Sequence, residues 1–183
     1  MKSNAYMSKY AKAFVMIGLM AMPSAALSQG EDEKPKKQLS AVGIEHGLEL
    51  YDKDKSDYCV PGALQIRVNV HNVSTGGILK LELFGENNFL KKEGKLRRIR
   101  VPAQDGPQKV CINLPAPGEY AVVGYHDKDG DRRLKKAWNF KPKEPYGLSN
   151  NPEIKSLRLP KFSETGFAVP MQGVDIDLHL VDL

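Results

Sequence analysis

The chain has 183 residues, of which 41 % are hydrophobic and 27 % charged, and its formal charge at pH 7 is +5. That length favours one domain with a hydrophobic core of its own. The first 28 residues hold three lysines and no acidic residue, so the remaining 155 carry only +2, which excludes the strongly basic surface that nucleic-acid binding requires.

Residues 1–28 have the layout of a secretory signal peptide. Three lysines precede a ten-residue apolar run, Ala13–Met22, and Ala26–Ser28 offers a cleavage site. The run is shorter than the roughly 20 apolar residues that span a bilayer, and no later segment approaches that length. We therefore expect a periplasmic or secreted protein that has no transmembrane segment after signal cleavage.

Residues 29–57 are predicted to form a flexible charged leader. The stretch begins QGEDEKPKKQ, which is charged and lacks apolar periodicity. Leu39–Tyr51 has scattered apolar residues that are compatible with a short strand or a helical turn, and Asp52–Lys55 is interpreted as a solvated linker. The folded domain is expected to occupy residues 58–183.

Cys59 and Cys111 are the only cysteines in the chain. In an exported protein, such a pair predicts one disulfide bond. The chain-entropy model values a crosslink over this separation at about 4 kcal/mol. The alternatives are two free thiols or a redox pair, but the wide separation disfavours a CxxC-type site.

From residue 63 onward the hydrophobic pattern has period two, which is typical of half-buried strands. The first two runs flank a turn at Ser74–Gly77 and predict a β-hairpin. Residues 127–160, rich in proline, glycine and asparagine, predict one long loop excursion. About seven short strands predict a single all-β sandwich. The predicted strands are 64–71, 79–83, 96–101, 109–114, 119–126, 165–169 and 174–181.

Several blocks of the sequence resemble the DUF2141 family of exported bacterial proteins of unknown function. They are LQIRVNV with KLELF, then LPAPGEYAVVGYHDKDGDRRL, then EPYGLSNN, and finally FAVP with VDIDLHL. The resemblance covers about Ala63–Leu183. It implies a transthyretin-like or Ig-like antiparallel β-sandwich and carries no established activity. Cys59 lies outside it, so the disulfide is predicted from this sequence alone.

Asp127, Asp129 and Asp131 occupy positions one, three and five of an acidic loop after a predicted strand. Carboxylate oxygens at this spacing suit Ca²⁺, so the loop is a candidate calcium site. The full EF-hand pattern is absent, because Arg132 replaces its glycine and Trp138 replaces its glutamate. The alternative is an Asp-Gly turn whose aspartates bond to their own backbone.

His126 directly precedes the acidic loop. A metal-dependent envelope hydrolase that uses His126 with Asp127–Asp131 is therefore the alternative function. No Ser, Cys or second His is placed by the sequence to complete a triad. His71 and His179 are expected on the polar faces of their strands, where exposed histidines are ordinary.

Trp138, Phe140 and Tyr146 lie in the long excursion, interleaved with lysines. Aromatic faces flanked by cations suit a sugar, an anionic glycan or a peptide, which makes these three candidate ligand-binding residues. The alternative is that they anchor the loop on the sandwich. The sequence thus predicts a non-enzymatic binding or structural module of the cell envelope, whose partner is an envelope protein, a glycan or a small ligand.

Overall fold

Eight strands in two sheets form the domain in the computed structural model, which describes residues 38–134, 143–153 and 158–182. The elements in chain order are α1 (Ala41–Glu45), a one-turn 3₁₀ helix (Asp52–Asp54), β1 (Gln65–His71), β2 (Ile78–Phe84), β3 (Lys95–Pro102), β4 (Gln108–Asn113), β5 (Gly118–Asp127), β6 (Tyr146–Leu148), α2 (Phe162–Thr165), β7 (Phe167–Val169) and β8 (Val174–His179). One sheet has the order β4-β1-β8, and the other has the order β3-β2-β5-β6 with β7 paired to β5.

This arrangement confirms the predicted all-β sandwich. The short strand β6 lies within the stretch that the sequence assigned to a long loop. The named strands pair antiparallel except for β1 and β8, which run parallel. No helix in the described ranges is long and apolar enough to cross a membrane. The candidate signal peptide, residues 1–28, lies outside the described residues.

The hydrophobic core lies between the two sheets. Strand β1 contributes the fully buried Ile66, Val68 and Val70, and β2 contributes alternate leucines from Leu79 to Leu83. Side chains in a strand point alternately to opposite faces, so period two in the sequence becomes one buried face in each sheet. The strand positions were predictable for this reason.

The predicted hairpin between the first two strands is wrong, because β1 and β2 belong to different sheets. Their connection crosses from one sheet to the other through a turn that packs on the end of β5. Gly77 has a φ of 71°, and a Cβ atom at this position would lie 2.1 Å from the Asp127 carbonyl oxygen. Alternation in a sequence identifies the buried face of a strand but not the partner strand.

Residues 38–57, which we term the covering segment, pack against the sandwich. Its first part closes on itself through a bridge between Leu39 and Tyr51, and Ser40 caps α1 by accepting a hydrogen bond from the Gly43 amide at 3.0 Å. Leu50 is buried beneath this loop. The part of the predicted leader that the structure describes is therefore folded.

Asp54 holds the covering segment to β3. Its side chain is only 5 % exposed and accepts hydrogen bonds from Arg100 at 2.7 Å and from Arg98 at 3.2 Å. The interpretation of Asp52–Lys55 as a solvated linker is therefore wrong at Asp54. Its arginine partners lie more than forty residues further along the chain, so their contact cannot be read from local sequence.

Cys59 and Cys111 form a disulfide bond, as predicted, with their Cα atoms 5.3 Å apart. Cys111 is fully buried on β4. Beside the bond, the Asp57 amide donates to the Cys111 carbonyl at 3.0 Å, and Arg97 pairs with the Asp57 carboxylate. The disulfide and this ion pair fix the end of the covering segment on the sandwich.

Ser149, Asn150 and Asn151, which follow β6, join three parts of the fold. The buried Ser149 hydroxyl accepts from the Val122 amide at 2.9 Å and donates to the Thr165 carbonyl at 2.6 Å. Asn151 bonds to the backbone of β8 through both ends of its amide. This gives the SNN block a structural role that the sequence did not reveal.

We predict that Ser149→Ala destabilises the protein by about 1–3 kcal/mol, because it leaves the buried Val122 N–H without its partner. Urea unfolding of the oxidised protein measures the loss. Ser163→Ala, which removes an exposed hydroxyl from α2, is the matched control and is expected to change stability by less than about 0.5 kcal/mol. Equal effects of the two substitutions would contradict the assigned role of Ser149.

Candidate functional site

The acidic loop lies where β5 leaves the sheet. Asp127 is the last residue of β5, and a tight turn at Gly130 (φ 71°) then reverses the chain. As a result, Asp127, Asp129 and Asp131 each bring a carboxylate oxygen within 4.8 Å of the others. The structure thus brings together the three carboxylates that the sequence proposed as calcium ligands.

Part of the loop has the chemistry of an Asx turn. Asp129 accepts a hydrogen bond from the Asp131 amide at 3.3 Å, and Asp131 accepts one from the Arg133 amide at 2.8 Å. Asp127 Oδ2 accepts from the Arg132 amide at 2.6 Å. These contacts hold the loop closed and turn the carboxylates toward one another, so turn chemistry and cation binding are compatible here.

Asp127 differs from its two exposed neighbours because its residue surface is only 1 % exposed. Its Oδ1 atom is buried and has no hydrogen-bond partner in the described structure. Burial raises the pKa of the Asp127 carboxyl, and contacts with Asp129 and Asp131 raise it further, while the Arg132 amide opposes the shift. A buried carboxylate oxygen without a donor, beside two other acids, is an unfavourable arrangement that a cation would relieve.

Arg132 directs its guanidinium away from the acidic loop. It pairs with Glu49 at 2.5 Å and lies 5.0 Å from the centre of the Tyr51 ring. The pKa of Arg132 is raised because these contacts outweigh the effect of burial. Arg132 therefore connects the acidic loop to the covering segment, through its backbone on one side and its side chain on the other.

His126 takes no part in the three-carboxylate cluster that the described residues form. It is almost fully buried, and its Nε2 atom lies 2.7 Å from the Gly76 carbonyl oxygen. Since a carbonyl only accepts, Nε2 is the donor, and Nδ1 has no partner in the described structure. The hydrolase alternative stays a prediction, and this geometry offers it no imidazole nitrogen within the cluster.

A protein-family profile described as "Uncharacterized protein conserved in bacteria (DUF2141)" matches residues 67–177. The chain belongs to the DUF2141 family. The matched region begins in β1 and ends in β8, so it includes the acidic loop but not the covering segment or Cys59. The chain has no significant match among curated proteins or among solved structures.

Two histidines meet at one edge of the DUF2141 sandwich, where the sequence had placed them on separate polar faces. The parallel register of β1 and β8 pairs His71 with His179, and their rings stack with centroids 4.5 Å apart. His71 also bonds to Asp177 at 2.8 Å, which lowers the pKa of that carboxyl. Only the strand pairing reveals this contact.

Of the three aromatic residues proposed to bind a ligand, Trp138 and Phe140 lie outside the described residues. Tyr146 opens β6, where it exchanges backbone hydrogen bonds with Val181 at 2.9 and 3.1 Å. Its side chain is half-buried, and burial raises the pKa of its hydroxyl. Tyr146 thus helps to hold the excursion on the sandwich, and ligand binding by the three aromatics stays a prediction.

Proposed function

We propose that this DUF2141 protein is an exported, non-enzymatic β-sandwich module of the bacterial cell envelope that binds Ca²⁺ in its Asp127–Asp131 loop. The observation that supports the cation site is that Asp127, one of the three clustered carboxylates, has a buried Oδ1 atom without a partner in the described structure. Burying a polar atom without a hydrogen bond is unfavourable, so such an atom points to a missing ligand.

The donor set favours calcium over other metals. All three side chains offer hard carboxylate oxygens, and the described cluster contains neither histidine nor cysteine, which transition metals prefer. A bound Ca²⁺ would balance the like charges that raise the pKa of Asp127.

Export is supported by the signal-peptide pattern at residues 1–28 and by the Cys59–Cys111 disulfide, since such bonds persist in oxidising compartments. In this proposal the leader, residues 29–57, joins the signal peptide to the domain at 58–183, and its covering segment packs against that domain. The loop and the following excursion would present the surface that binds an envelope protein, a glycan or a small ligand, with Trp138, Phe140 and Tyr146 as contacts.

We predict that Ca²⁺ stabilises the native protein. The full chain, exported through its own N-terminal sequence and purified oxidised, is unfolded in urea with EDTA and then with increasing Ca²⁺. Binding to the native state adds RT ln(1 + [L]/Kd), or about 2.7 kcal/mol at a hundredfold excess over Kd. Asp105→Asn, in an exposed turn outside the cluster, is expected to keep the full response. No stabilisation at any Ca²⁺ concentration would refute the calcium site.

Asp127→Asn is the variant that should abolish stabilisation by Ca²⁺. The amide oxygen can still accept from the Arg132 amide, while the buried negative charge is removed. We expect the variant to lose the Ca²⁺ response and, in EDTA at neutral pH, to be more stable than the wild type by about 0.5–2 kcal/mol. A variant that is less stable in EDTA but keeps its Ca²⁺ response would show that Asp127 is purely structural.

The pH dependence of wild-type stability in EDTA tests the same charge. The pKa of Asp127 is higher in the folded state than its ordinary value of 3.8. The contribution of Asp127 to the free energy of unfolding is therefore fully present below pH 3.8 and is lost as pH rises through the folded-state pKa. Urea unfolding above pH 3.8 should therefore show a fall in stability that Asp127→Asn removes. A wild type and a variant with parallel pH profiles would contradict this assignment.

A further inference from the structure

A cavity of about 560 Å³ lies between the covering segment and the sandwich, on a part of the molecule that the calcium proposal does not use. Its floor comes from β1, β3 and β4, and its outer wall comes from residues 40–60. That volume falls within the range of about 300–1,000 Å³ that small-molecule sites occupy. Its apolar lining residues are Val42, Leu50, Val60, Ala63, Val101 and Pro102.

The wall of this cavity is held in place without a ligand. The Cys59–Cys111 disulfide, the Asp57–Arg97 ion pair and the Asp54–Arg100 contact all attach the covering segment to the sandwich. A site that is already formed loses little conformational entropy when it binds. These attachments make the cavity a property of the native protein.

Two buried or half-buried arginines of β3 lie at the covering segment. In the described structure Arg98 and Arg100 share one carboxylate, that of Asp54. Of these cations Arg100 lines the cavity, where its side chain is 5 % exposed.

Arg100 is incompletely satisfied. It donates to Asp54 through Nη1, while its Nε atom is buried and has no partner in the described structure. Burial, which is the largest effect, and the neighbouring Arg98 lower the pKa of Arg100, while the contact with Asp54 opposes the shift.

Two exposed residues add a charge and an aromatic ring to the lining. Lys55 adds a second cation, and Tyr58, which is 93 % exposed, adds an aromatic ring next to the exposed Val60. Two acids also line the cavity: Asp57 is paired with Arg97, and Asp52 is exposed to solvent. An apolar enclosure with a buried arginine and a lysine suits a molecule that has an apolar body and one negative group.

We propose that this cavity binds a small organic anion with an apolar body, such as a medium-chain carboxylate. The apolar part lies between α1 and β3, and the negative group pairs with Lys55 and accepts a hydrogen bond from the Arg100 Nε atom. This inference is independent of the calcium site, because it uses different residues and a different ligand class.

The test uses the exported, oxidised protein and two fluorescent probes, anilinonaphthalene sulfonate and its uncharged analogue phenylnaphthylamine. We expect the sulfonate to bind at one site, more tightly than the neutral probe, and to be displaced by decanoate. Near-ultraviolet circular dichroism shows that the protein stays native during the titration, since a partly unfolded protein also binds such dyes.

Two matched pairs of variants locate the site. Lys55→Ala is expected to weaken sulfonate binding about two- to fivefold. Lys53 is exposed but does not line the cavity, so Lys53→Ala is expected to leave binding unchanged. Val42→Glu places a carboxylate in the apolar wall and is expected to weaken sulfonate binding about tenfold or more. Ile44 is exposed on the same helix and does not line the cavity, so Ile44→Glu is expected to leave sulfonate binding unchanged.

Three results would overturn the proposal. They are the absence of sulfonate binding to the native protein, equal affinity for the neutral probe, and equal effects within both variant pairs. If Val42→Glu does not fold, the lysine pair alone decides, because both lysines are exposed and their removal leaves the core intact.

Discussion

Asp54→Ala is expected to destabilise the protein by about 3–5 kcal/mol, the range observed when one partner of a buried ion pair is removed. Asp54 is the carboxylate that contacts both Arg98 and Arg100. Without it, the Arg100 guanidinium remains desolvated with no counter-charge from the covering segment. Urea unfolding in saturating Ca²⁺ measures the loss, so that occupancy of the acidic loop does not vary.

The control for this substitution lies two residues away. Asp52 is exposed, and Asp52→Ala should change stability by less than about 0.5 kcal/mol. If Asp54→Ala behaved like Asp52→Ala, Asp52–Lys55 would be the solvated linker that the sequence suggested. A loss specific to Asp54 would instead establish that this segment is part of the folded domain.

A double-mutant cycle separates the charge from the packing. Replacing a buried ion pair by apolar side chains is often neutral, so Asp54→Ala combined with Arg100→Leu should recover part of the loss. Recovery would show that the uncompensated guanidinium causes most of the destabilisation. Additive losses would show that Asp54 acts mainly by holding the 3₁₀ turn against β3.

The strands could be predicted because their signal is local. Alternation along β1, β2 and β5 reports burial of one face, and this pattern needs no knowledge of the partner strand. Pairing is not local: the Ser74–Gly77 turn connects two sheets, and the stacked histidines come from the first and last strands. A turn signal therefore predicted a hairpin that the fold does not contain.

In the candidate site, too, local features could be predicted from the sequence and non-local ones could not. The one-three-five spacing of Asp127, Asp129 and Asp131 places three carboxylates in one turn, so their proximity could be predicted from the loop alone. The burial of Asp127 Oδ1 could not, because it depends on how the end of β5 packs within the fold. The cavity could not be predicted either, since most of its outer wall comes from residues that the sequence assigned to a leader outside the folded domain.

Replacing both cysteines, Cys59→Ala with Cys111→Ala, is expected to reduce the free energy of unfolding by about 4 kcal/mol. The partners are 52 residues apart, so the disulfide closes a long loop in the unfolded chain and lowers its conformational entropy. Alanine is the suitable replacement because Cys111 is fully buried and a hydroxyl there would need a partner.

Reduction of the wild type distinguishes the effect of the crosslink from that of the substitution. If the disulfide acts by restricting the unfolded chain, the reduced wild type and the double-alanine variant should be destabilised equally. The native contacts beside the bond, including the Asp57–Arg97 ion pair, would still hold the covering segment at neutral pH. The cavity would then persist, and anilinonaphthalene sulfonate would still bind to the reduced protein while it stays native. A stability loss below about 1 kcal/mol would instead mean that the unfolded chain is already compact around these two positions.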